Sequence, residues 1–493
     1  MKKALLFCIP AVLFASSCSK LEDYDNINPK AATTAPGVSL VSNAERMLSN
    51  TINTPDYNIN PFRLYVQYWA ETTYPDESQY IIATRQINRN FWDPLYRDVL
   101  SDLNEGKRII AADNLLNADI KANQIACIEV LEVYTWSVLV NTFGDVPYSA
   151  ALNSENLTPK YDDDKVIYTD LIKRLNTAIT SMKSTATGLG TADLYYSGSM
   201  ARWMKFANSL KLRLALTIAD DDAATSKTLA QEAAADLSKL LSSNEDNAKL
   251  KYLSAVPNTN PLYVSLVQSG RADFVGANTF IDKLNAWGDP RIDEYFKPFT
   301  AATPTTPAVF KGGTYGAPNV YANNSAPGAI LEDPTFAGTL MNYAEVEFML
   351  AEAQERGYTI GGTGTAADHY NAGVTASVTE WGGTTAEATA YLKNPTVAYA
   401  TAKPNGGTAP ATWQEKIGYQ KWVALYNNPV EAWKEWRRLD SPKLEKPAKA
   451  ISEIPLRLPY PTTEANLNGA NYNAASAAIG GDVVTSRIFW DKK

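Results

Sequence analysis

The stretch SMARWMKFANSLKLRLALTIA, residues 199–219, shows the pattern that decides the fold. Its large apolar residues recur at steps of three and four, which places them on one face of a helix. These residues are Trp203, Phe206, Leu210 and Leu214. Ser199 stands where an N-cap is needed. The segment therefore predicts an amphipathic helix that begins after Ser199 and packs its apolar face on a core.

The same periodicity recurs along the chain. It is present in residues 123–143 and 342–356. Near the C-terminus, Asn428 precedes Pro429 and Glu431, an arrangement typical of an N-cap, a first-turn proline and a capping box. The helical segments have roughly the length of tetratricopeptide helices, without a strict repeat. We therefore predict a mainly α body of helix pairs.

Two other features concern domain organisation. No Pro/Gly/Ser-rich linker divides residues 37–493, which predicts a single domain. Residues 251–339 are rich in Pro, Gly, Asn and Thr, and we predict a long irregular region there. Loops of this length inside a compact domain are usually functional.

The N-terminus has the form of an export signal. Lys2 and Lys3 precede a short apolar run, residues 4–15, and small residues lead directly to Cys18. That run is too short to cross a bilayer. We predict a lipoprotein signal at 1–17, lipidation of Cys18 and a tether at 18–36; the alternative is an ordinary secretory signal with an incidental cysteine. We expect no later stretch to be long and apolar enough to span a membrane.

Charge and reactive residues exclude several functions. The formal charge of −8 disfavours binding to nucleic acid or to anionic lipid. Cys127 is the one cysteine left outside the signal and the lipidation site, so no intrachain disulfide is expected and we assign Cys127 to the core. His369 is the only histidine, and its neighbours do not match a zinc or nucleophile motif. We assign it to the surface or to packing.

Short motifs in a fixed order carry a resemblance to a known family. They are DNINP at 25–29, FGDVPY at 143–148, DPR at 289–291, YAEV at 343–346 with AEA at 351–353, EAW at 431–433 with RR at 437–438, IPLR at 454–457, GGD at 480–482 and FWD at 489–491. Together they resemble the SusD/RagB family of Bacteroidetes outer-membrane nutrient-binding lipoproteins. The motifs are suited to capping and packing, so they identify the family and not the ligand.

The resemblance implies a fold of tetratricopeptide-like helix pairs, with long irregular loops and insertions forming the ligand face. It implies a cell-surface lipoprotein, anchored in outer-membrane lipid and facing the exterior, that binds a nutrient, usually an oligosaccharide. The implied partner is a SusC-like TonB-dependent transporter, and the implied role is not enzymatic. Three alternatives stay open: a peptide-binding member, a surface glycoside hydrolase, which would need two suitably spaced carboxylates, and a purely structural lid.

A glycan site needs exposed aromatic rings together with polar groups that bond hydroxyls. Two regions offer this combination, and each ring in them could instead be a packing residue. The first is the turn YPDESQY at 74–80, with Tyr74, Asp76 and Tyr80. The second lies in the irregular region and contains Arg271, Phe274, Trp287, Tyr315 and Tyr321. We predict these eight residues as ligand contacts.

Other conspicuous residues are assigned to the scaffold. Tryptophans within helical segments are assigned to the core: Trp203, Trp422, Trp433 and Trp436. Asp162–Asp164 could suggest calcium, but an acidic run before a helix is typical of a solvated cap. Glu345 and Glu352 lie about two helical turns apart and are read as structural. No metal ion and no cofactor is predicted.

Overall fold

The structure, a computed structural model, describes residues 35–492. The predicted signal at 1–17, Cys18 and nearly all of the 18–36 tether lie outside the described residues. So does the DNINP motif.

Helices dominate the described part of the chain. They are α1 Gly37–Asn53, α2 Phe62–Tyr65, α3 Ile87–Pro94, α4 Ser101–Ala112, α5 Ala118–Phe143, α6 Asp164–Ser181, α7 Met200–Thr217, α8 Ala223–Ala233, α9 Pro261–Tyr263, α10 Asn278–Trp287, α11 Ile292–Tyr295, α12 Tyr343–Glu355, α13 Ala366–Glu380, α14 Thr385–Tyr391, α15 Trp413–Ala424, α16 Pro429–Leu439, α17 Thr462–Leu467 and α18 Gly469–Ala478. Successive helices pack as pairs, among them α5 with α6, α7 with α8 and α12 with α13. The predicted mainly α architecture of helix pairs is confirmed.

The strands are short. They are β1 Trp69–Glu71, β2 Val146–Pro147, β3 Tyr161–Asp162, β4 Ala248–Leu250, β5 Phe274–Gly276 and β6 Gly338–Met341. Within the described residues they form three antiparallel pairs, β1–β5, β2–β3 and β4–β6. The β1–β5 pair places Trp69 opposite Gly276 and Glu71 opposite Phe274. This pair joins the two regions in which ligand contacts were predicted.

Helix α7 confirms the periodicity argument. Its four predicted core residues, Trp203, Phe206, Leu210 and Leu214, are all buried. Ser199 occupies the N-cap with extended backbone dihedrals, although its side chain makes no capping hydrogen bond. The assignments of Trp422 and Trp433 to the core also hold, and Trp436 packs against the core while partly buried.

Helix α5 corrects one expectation. By length and composition it could span a membrane, contrary to the prediction that no later stretch could. However, 89% of its apolar window is buried inside the protein. Glu132 within it pairs with Lys107 at 2.7 Å and also contacts Arg174, so the charge has partners on neighbouring helices. Helix α5 is therefore a central core helix that is apolar on nearly all sides.

The irregular region at 251–339 is also more ordered than predicted. It contains α10, which ends at Gly288 in the left-handed conformation with φ 62°. The helix was missed because its polar residues and the flanking Gly-Asp-Pro mask the four buried apolar positions of its inner face. These are Phe280, Ile281, Leu284 and Trp287. Residues 297–337 consist mainly of turns and isolated bridges, as expected.

The motifs that carry the family resemblance are structural. Gly144 ends α5 with φ 79°, and Arg457 donates two hydrogen bonds, of 2.8 and 3.1 Å, to the carbonyl oxygen of Phe143. Arg291 and Asp289 form a fully buried ion pair at 2.5 Å. The side chain of Asn428 caps α16 by accepting from the amide of Glu431. These contacts hold element ends in place.

A buried network of charges joins α7, α12, α15 and α16, with α15 attached through Lys421, which donates to Glu435 at 2.7 Å. The carboxylate of Glu345 accepts hydrogen bonds from Nε and Nη2 of Arg213, at 2.7 and 2.6 Å. Glu431 completes only half of the predicted capping box, because its carboxylate binds Lys434 at 2.6 Å and does not return to the Asn428 amide. Glu352 is shared between Arg438 and Arg356. The structural assignment of Glu345 and Glu352 is therefore supported by their partners.

Candidate functional site

The two regions predicted to bind ligand meet on one face of the protein. The amide of Thr72 donates to the carbonyl of Asp273 at 2.9 Å, which continues the β1–β5 pairing. The side chain of Gln79 donates to the carbonyl of Gly316 at 2.8 Å. The turn at 72–80, the segment at 271–276 and the loop at 312–321 are therefore neighbours, and we call their common surface the binding face.

Asn319 fixes the loop against the strand. Its amide donates to Thr72 O at 2.9 Å, and its side-chain nitrogen donates to Glu71 O at 2.9 Å. The same side chain bonds the loop itself, because Nδ2 donates to Thr314 O and Ala317 O while Oδ1 accepts from the Thr314 amide. One asparagine thus closes the loop and attaches it to β1.

Four of the predicted contacts are accessible. The side chain of Tyr74 is 62% exposed and that of Tyr321 is 38% exposed. Arg271 is exposed and Asp76 is half-buried. All four lie in segments that form the binding face or adjoin it directly in sequence.

The other four predicted contacts are buried, so their rings offer no stacking surface here. They are Tyr80, Phe274, Trp287 and Tyr315. Trp287 packs edge-on against Tyr419 at the end of α10. Phe274 packs against Trp69 beneath the surface. The prediction of exposure was wrong because the polar and glycine neighbours of each ring in the sequence do not cover it, whereas residues distant in sequence do. Tyr80, Phe274 and Tyr315 are packing residues within the segments of the binding face, whereas Trp287 packs elsewhere, at the end of α10.

Tyr57 is a residue of the site that sequence reasoning missed. It is partly buried and lines a cleft of about 450 Å³ together with Asp56, Asn58, Arg271 and Asp273. Arg271 Nη2 donates to its hydroxyl at 2.9 Å. The guanidinium of Arg85 lies over its ring, 4.8 Å from the centroid. Tyr57 lies in an aperiodic stretch, DYNINP, so no local pattern marks it.

The positive charges around the cleft are all neutralised by partners. Arg271 pairs with Asp273 at 2.8 Å. Arg85 pairs with Asp76 at 3.3 Å and with Glu77 at 3.0 Å. The cleft therefore offers an aromatic ring, hydrogen-bond donors and carboxylate acceptors, but no guanidinium without a carboxylate beside it. Such a lining suits a neutral ligand rich in hydroxyl groups.

A second cluster of carboxylates lies at the N-terminus of α6. Carboxylate oxygens of Asp145, Asp163 and Asp164 lie within 4.8 Å of one another. Asp163 is the N-cap and accepts from the Val166 amide at 3.0 Å, while Asp145 accepts from the Asp164 amide at 3.0 Å. Asp164 accepts from the Phe489 amide at 3.1 Å. Asp163 thus caps a helix, as the sequence predicted, but the run is not wholly solvated, because Asp164 is buried.

The buried carboxyl of Asp164 gives a pH prediction. Burial first, and then the neighbouring carboxylates Asp145 and Asp163, raise its pKa to about 7. Between about pH 4 and 7 the folded chain keeps this proton while the unfolded chain loses it, so the contribution of Asp164 to stability falls as pH rises. We expect Asp164→Asn to be more stable than the original chain at pH 8 by about 1–3 kcal/mol, and no more stable at pH 4.

Chemical denaturation of both chains at the two pH values measures the difference. Asp222→Asn is the matched control, because Asp222 also caps a helix but the amide and side chain of Thr225 hold its pKa below the usual range. It should lose stability at pH 8 relative to pH 4, the opposite direction. An equal gain for Asp164→Asn at both pH values would contradict the assignment.

Cys127 and His369 are both buried, as packing residues are. His369 Nδ1 lies 2.6 Å from a carboxylate oxygen of Glu347. Neither side chain lies on the binding face.

Comparison with known proteins gives a consistent result. Residues 29–461 match a family model, SusD-like_2, described as starch-binding and associating with the outer membrane. No curated protein sequence matches the chain. A solved SusD homologue from Bacteroides uniformis is 26% identical with a TM-score of 0.78, and the alignment covers 93% of this chain and 99% of that one.

Two solved structures with a named ligand have the same fold. A chitin-binding protein is 24% identical with a TM-score of 0.78, covering 93% of this chain and 100% of that one. A chitin-binding SusD homologue from Flavobacterium johnsoniae is 24% identical with a TM-score of 0.75, covering 92% of this chain and 98% of that one.

Proposed function

From the premise that this chain belongs to the SusD-like family, whose members are described as starch-binding and outer-membrane-associated, we propose that it binds a neutral oligosaccharide without cleaving it. The observation that carries the proposal is the binding face itself. Exposed Tyr74 and Tyr321 lie in two loops held together by Asn319, beside a cleft lined by Tyr57 and Arg271.

The chemistry of this face matches a sugar better than a peptide. Aromatic rings can stack on the C–H faces of pyranose rings, and the Arg271–Asp273 pair can both donate to and accept from hydroxyl groups. A peptide ligand would favour an unpaired sheet edge or a deep apolar groove. Strands β1 and β5 are buried along their whole length, so this sheet presents no exposed edge to a peptide.

The charge balance favours a neutral sugar over a uronic acid. Recognition of a carboxylate usually uses an arginine fork that is free to bind it in bidentate fashion. Here Arg271 and Arg85 are engaged by Asp273, Asp76 and Glu77. An acidic sugar would have to displace one of these carboxylates, and the remaining negative charge would repel it.

The cellular role belongs to the same proposal. Lipidation of Cys18 would place the protein on the outer membrane, with the binding face available at the cell exterior. A SusC-like TonB-dependent transporter would then receive the bound oligosaccharide. The family description supports membrane association, and the sequence of the signal supports the lipid anchor.

Titration calorimetry on the soluble chain from residue 19 onward tests the binding function. We expect saturable binding of chito- or maltooligosaccharides, at least tenfold weaker binding of oligogalacturonate, and no binding of a mixed peptide library. Chromatography of the recovered sugar should show unchanged chain length. Tighter binding of peptides, or steady release of shorter sugars, would replace this proposal with the peptide-binding or hydrolase alternative.

A further inference from the structure

A second cavity lies beside α1, closer to the N-terminus of that helix than the cleft, and we call it the arginine pocket. Its volume is about 380 Å³, which is enough for a small organic molecule. Within residues 35–492, no residue lines both this pocket and the cleft. The lining includes two cations, an amide and three leucines, namely Arg46, Lys251, Asn258, Leu194, Leu250 and Leu253.

Arg46 reaches this pocket without a carboxylate partner. Its Nη1 donates to Oδ1 of Asn258 at 2.8 Å, and its Nη2 donates to Oδ1 of Asn43 at 2.9 Å. Both acceptors are neutral amides, and within residues 35–492 Arg46 forms no ion pair. A guanidinium carries more N–H groups than these two bonds use, so donors remain for a ligand.

An amide separates this guanidinium from the carboxylate of Asp102. Asn43 donates from Nδ2 to Oδ2 of Asp102 at 2.8 Å, while its Oδ1 accepts from Arg46. The arrangement in the cleft is the opposite, since Arg271 pairs directly with Asp273 at 2.8 Å. Bidentate recognition of a carboxylate needs a guanidinium that no other carboxylate occupies. The arginine pocket offers such a group and the cleft does not.

The charge of the pocket is positive. Besides Arg46 its lining contains the exposed Lys251 and, within the described part of the chain, no aspartate or glutamate. Glu45 precedes Arg46 in α1 and is fully buried, and burial first and then the charge of Asp193 raise its pKa well above the usual value. Glu45 therefore favours its uncharged form. Even with Asp102 counted, the two cations outnumber the carboxylates, and this local excess attracts an anion.

One wall of the pocket is aliphatic. Leu250 is buried, but Leu194 is 39% exposed and Leu253 is 59% exposed. Leucine side chains cannot bond hydroxyl groups, so a hydroxyl placed against them loses its bonds to water at a cost in free energy. An apolar carbon chain gains free energy by covering the same side chains. The wall therefore favours a ligand with an apolar body over a sugar.

We propose that the arginine pocket binds a small carboxylic acid with an apolar body, of which hexanoate is an example. The carboxylate accepts hydrogen bonds from Arg46, and Lys251 supplies the second positive charge. The carbon chain lies along Leu194 and Leu253. This ligand differs from the proposed oligosaccharide in charge and in polarity, and it uses a different cavity. The inference therefore does not depend on the proposed function.

Titration calorimetry on the soluble chain from residue 19 onward, with hexanoate as the ligand, tests the proposal. Hexanamide is the matched neutral compound, and we expect it to bind more weakly by roughly tenfold or more, because charge-assisted hydrogen bonds are the stronger ones. Glucuronate keeps a carboxylate without the apolar body, and inorganic phosphate is a bare anion; both should bind more weakly than hexanoate. Added sodium chloride should weaken hexanoate binding, whereas a saturating neutral oligosaccharide should leave it unchanged.

Three variants locate the site. Asn258→Asp is close in size and places a carboxylate where Arg46 Nη1 donates. The new ion pair occupies the guanidinium, so hexanoate binding should fall by roughly tenfold or more while Tm is not lowered. Arg46→Gln removes the charge itself and should have a similar effect on affinity. Arg202→Gln should leave affinity unchanged and is the matched control, because Arg202 forms no ion pair within residues 35–492 and lies outside the pocket, 4.9 Å from the Tyr196 ring centroid.

The absence of hexanoate binding would overturn the proposal. So would equal affinity for hexanoate and hexanamide, because the charge would then play no part. Unchanged hexanoate binding in the Asn258→Asp chain, or phosphate binding as tight as that of hexanoate, would equally contradict it. Displacement of hexanoate by the oligosaccharide would place the acid in the cleft and also overturn it. If hexanoate binds as expected and no oligosaccharide does, the inference holds and only the proposed function fails.

Discussion

Replacing Glu352 with glutamine is expected to lower the free energy of unfolding by about 3–5 kcal/mol. Glu352 is fully buried in α12 and accepts from Arg438 of α16 and from Arg356 at 2.8 Å. After the substitution Arg438 keeps Glu435 and Arg356 keeps Asp220 as carboxylate partners. The buried network nevertheless loses one negative charge, and the positive charge in excess is costly in a low-dielectric interior. Chemical denaturation followed by circular dichroism measures the loss.

Glu105→Gln is the matched control. It makes the same chemical change in an ion pair, Glu105–Arg108 at 2.6 Å, but both side chains are exposed. Surface pairs of this kind contribute little, so no measurable change in stability is expected. If Glu352→Gln and Glu105→Gln lost the same stability, burial of the ion pairs at α12 and α16 would not explain the effect of Glu352→Gln.

Replacing Tyr57 with alanine is expected to weaken binding of a neutral oligosaccharide by roughly 10- to 100-fold, about 1.4–2.8 kcal/mol. The change removes the aromatic wall of the cleft and the hydroxyl that accepts from Arg271. It also removes the contacts that hold the side chains of Arg85 and Arg271 in place. Binding then carries the additional entropic cost of ordering these two side chains. Titration calorimetry with the sugar that binds the original chain measures the effect.

Two comparisons sharpen this experiment. Tyr57→Phe keeps the ring and loses only the hydroxyl, so its affinity should fall by less than that of the alanine variant. Tyr472→Ala alters a partly exposed tyrosine of α18, outside the binding face, and should bind as the original chain does. Unchanged affinity in the Tyr57→Ala chain, with its Tm preserved, would move the ligand site away from the cleft.

The helical architecture could be predicted because it depends on local periodicity. In α7, steps of three and four place Trp203 and Leu214 on one buried face, and any reader of the sequence can count them. Helix α5, in contrast, cannot be assigned from its periodicity, because it is apolar on nearly all sides. Composition alone cannot distinguish it from a membrane span. Its burial by neighbouring helices, together with the pairing of Glu132, identifies it as a core helix.

The candidate site could be outlined from the sequence because aromatic and polar residues mark two loops that the fold brings together. The individual rings could not be assigned, because exposure is set by contacts between distant segments. Tyr80 and Tyr315 belong to loops that are distant in sequence, and both side chains are buried where these loops meet. Tyr57 acquires its role only when folding brings Arg271, far along the chain, to its hydroxyl. No single stretch of sequence contains that information.

The attachment made by Asn319 has a practical meaning for redesigning specificity. One amide side chain secures the loop internally and to β1, so the neighbouring positions at 320–324 are not needed to hold the loop in place. Residues there could be exchanged, or a few inserted, while the anchoring point stays fixed. Residues 320–324 can therefore be varied while the rest of the loop stays fixed, which makes the chain a suitable starting point for libraries of variants with altered ligand preference.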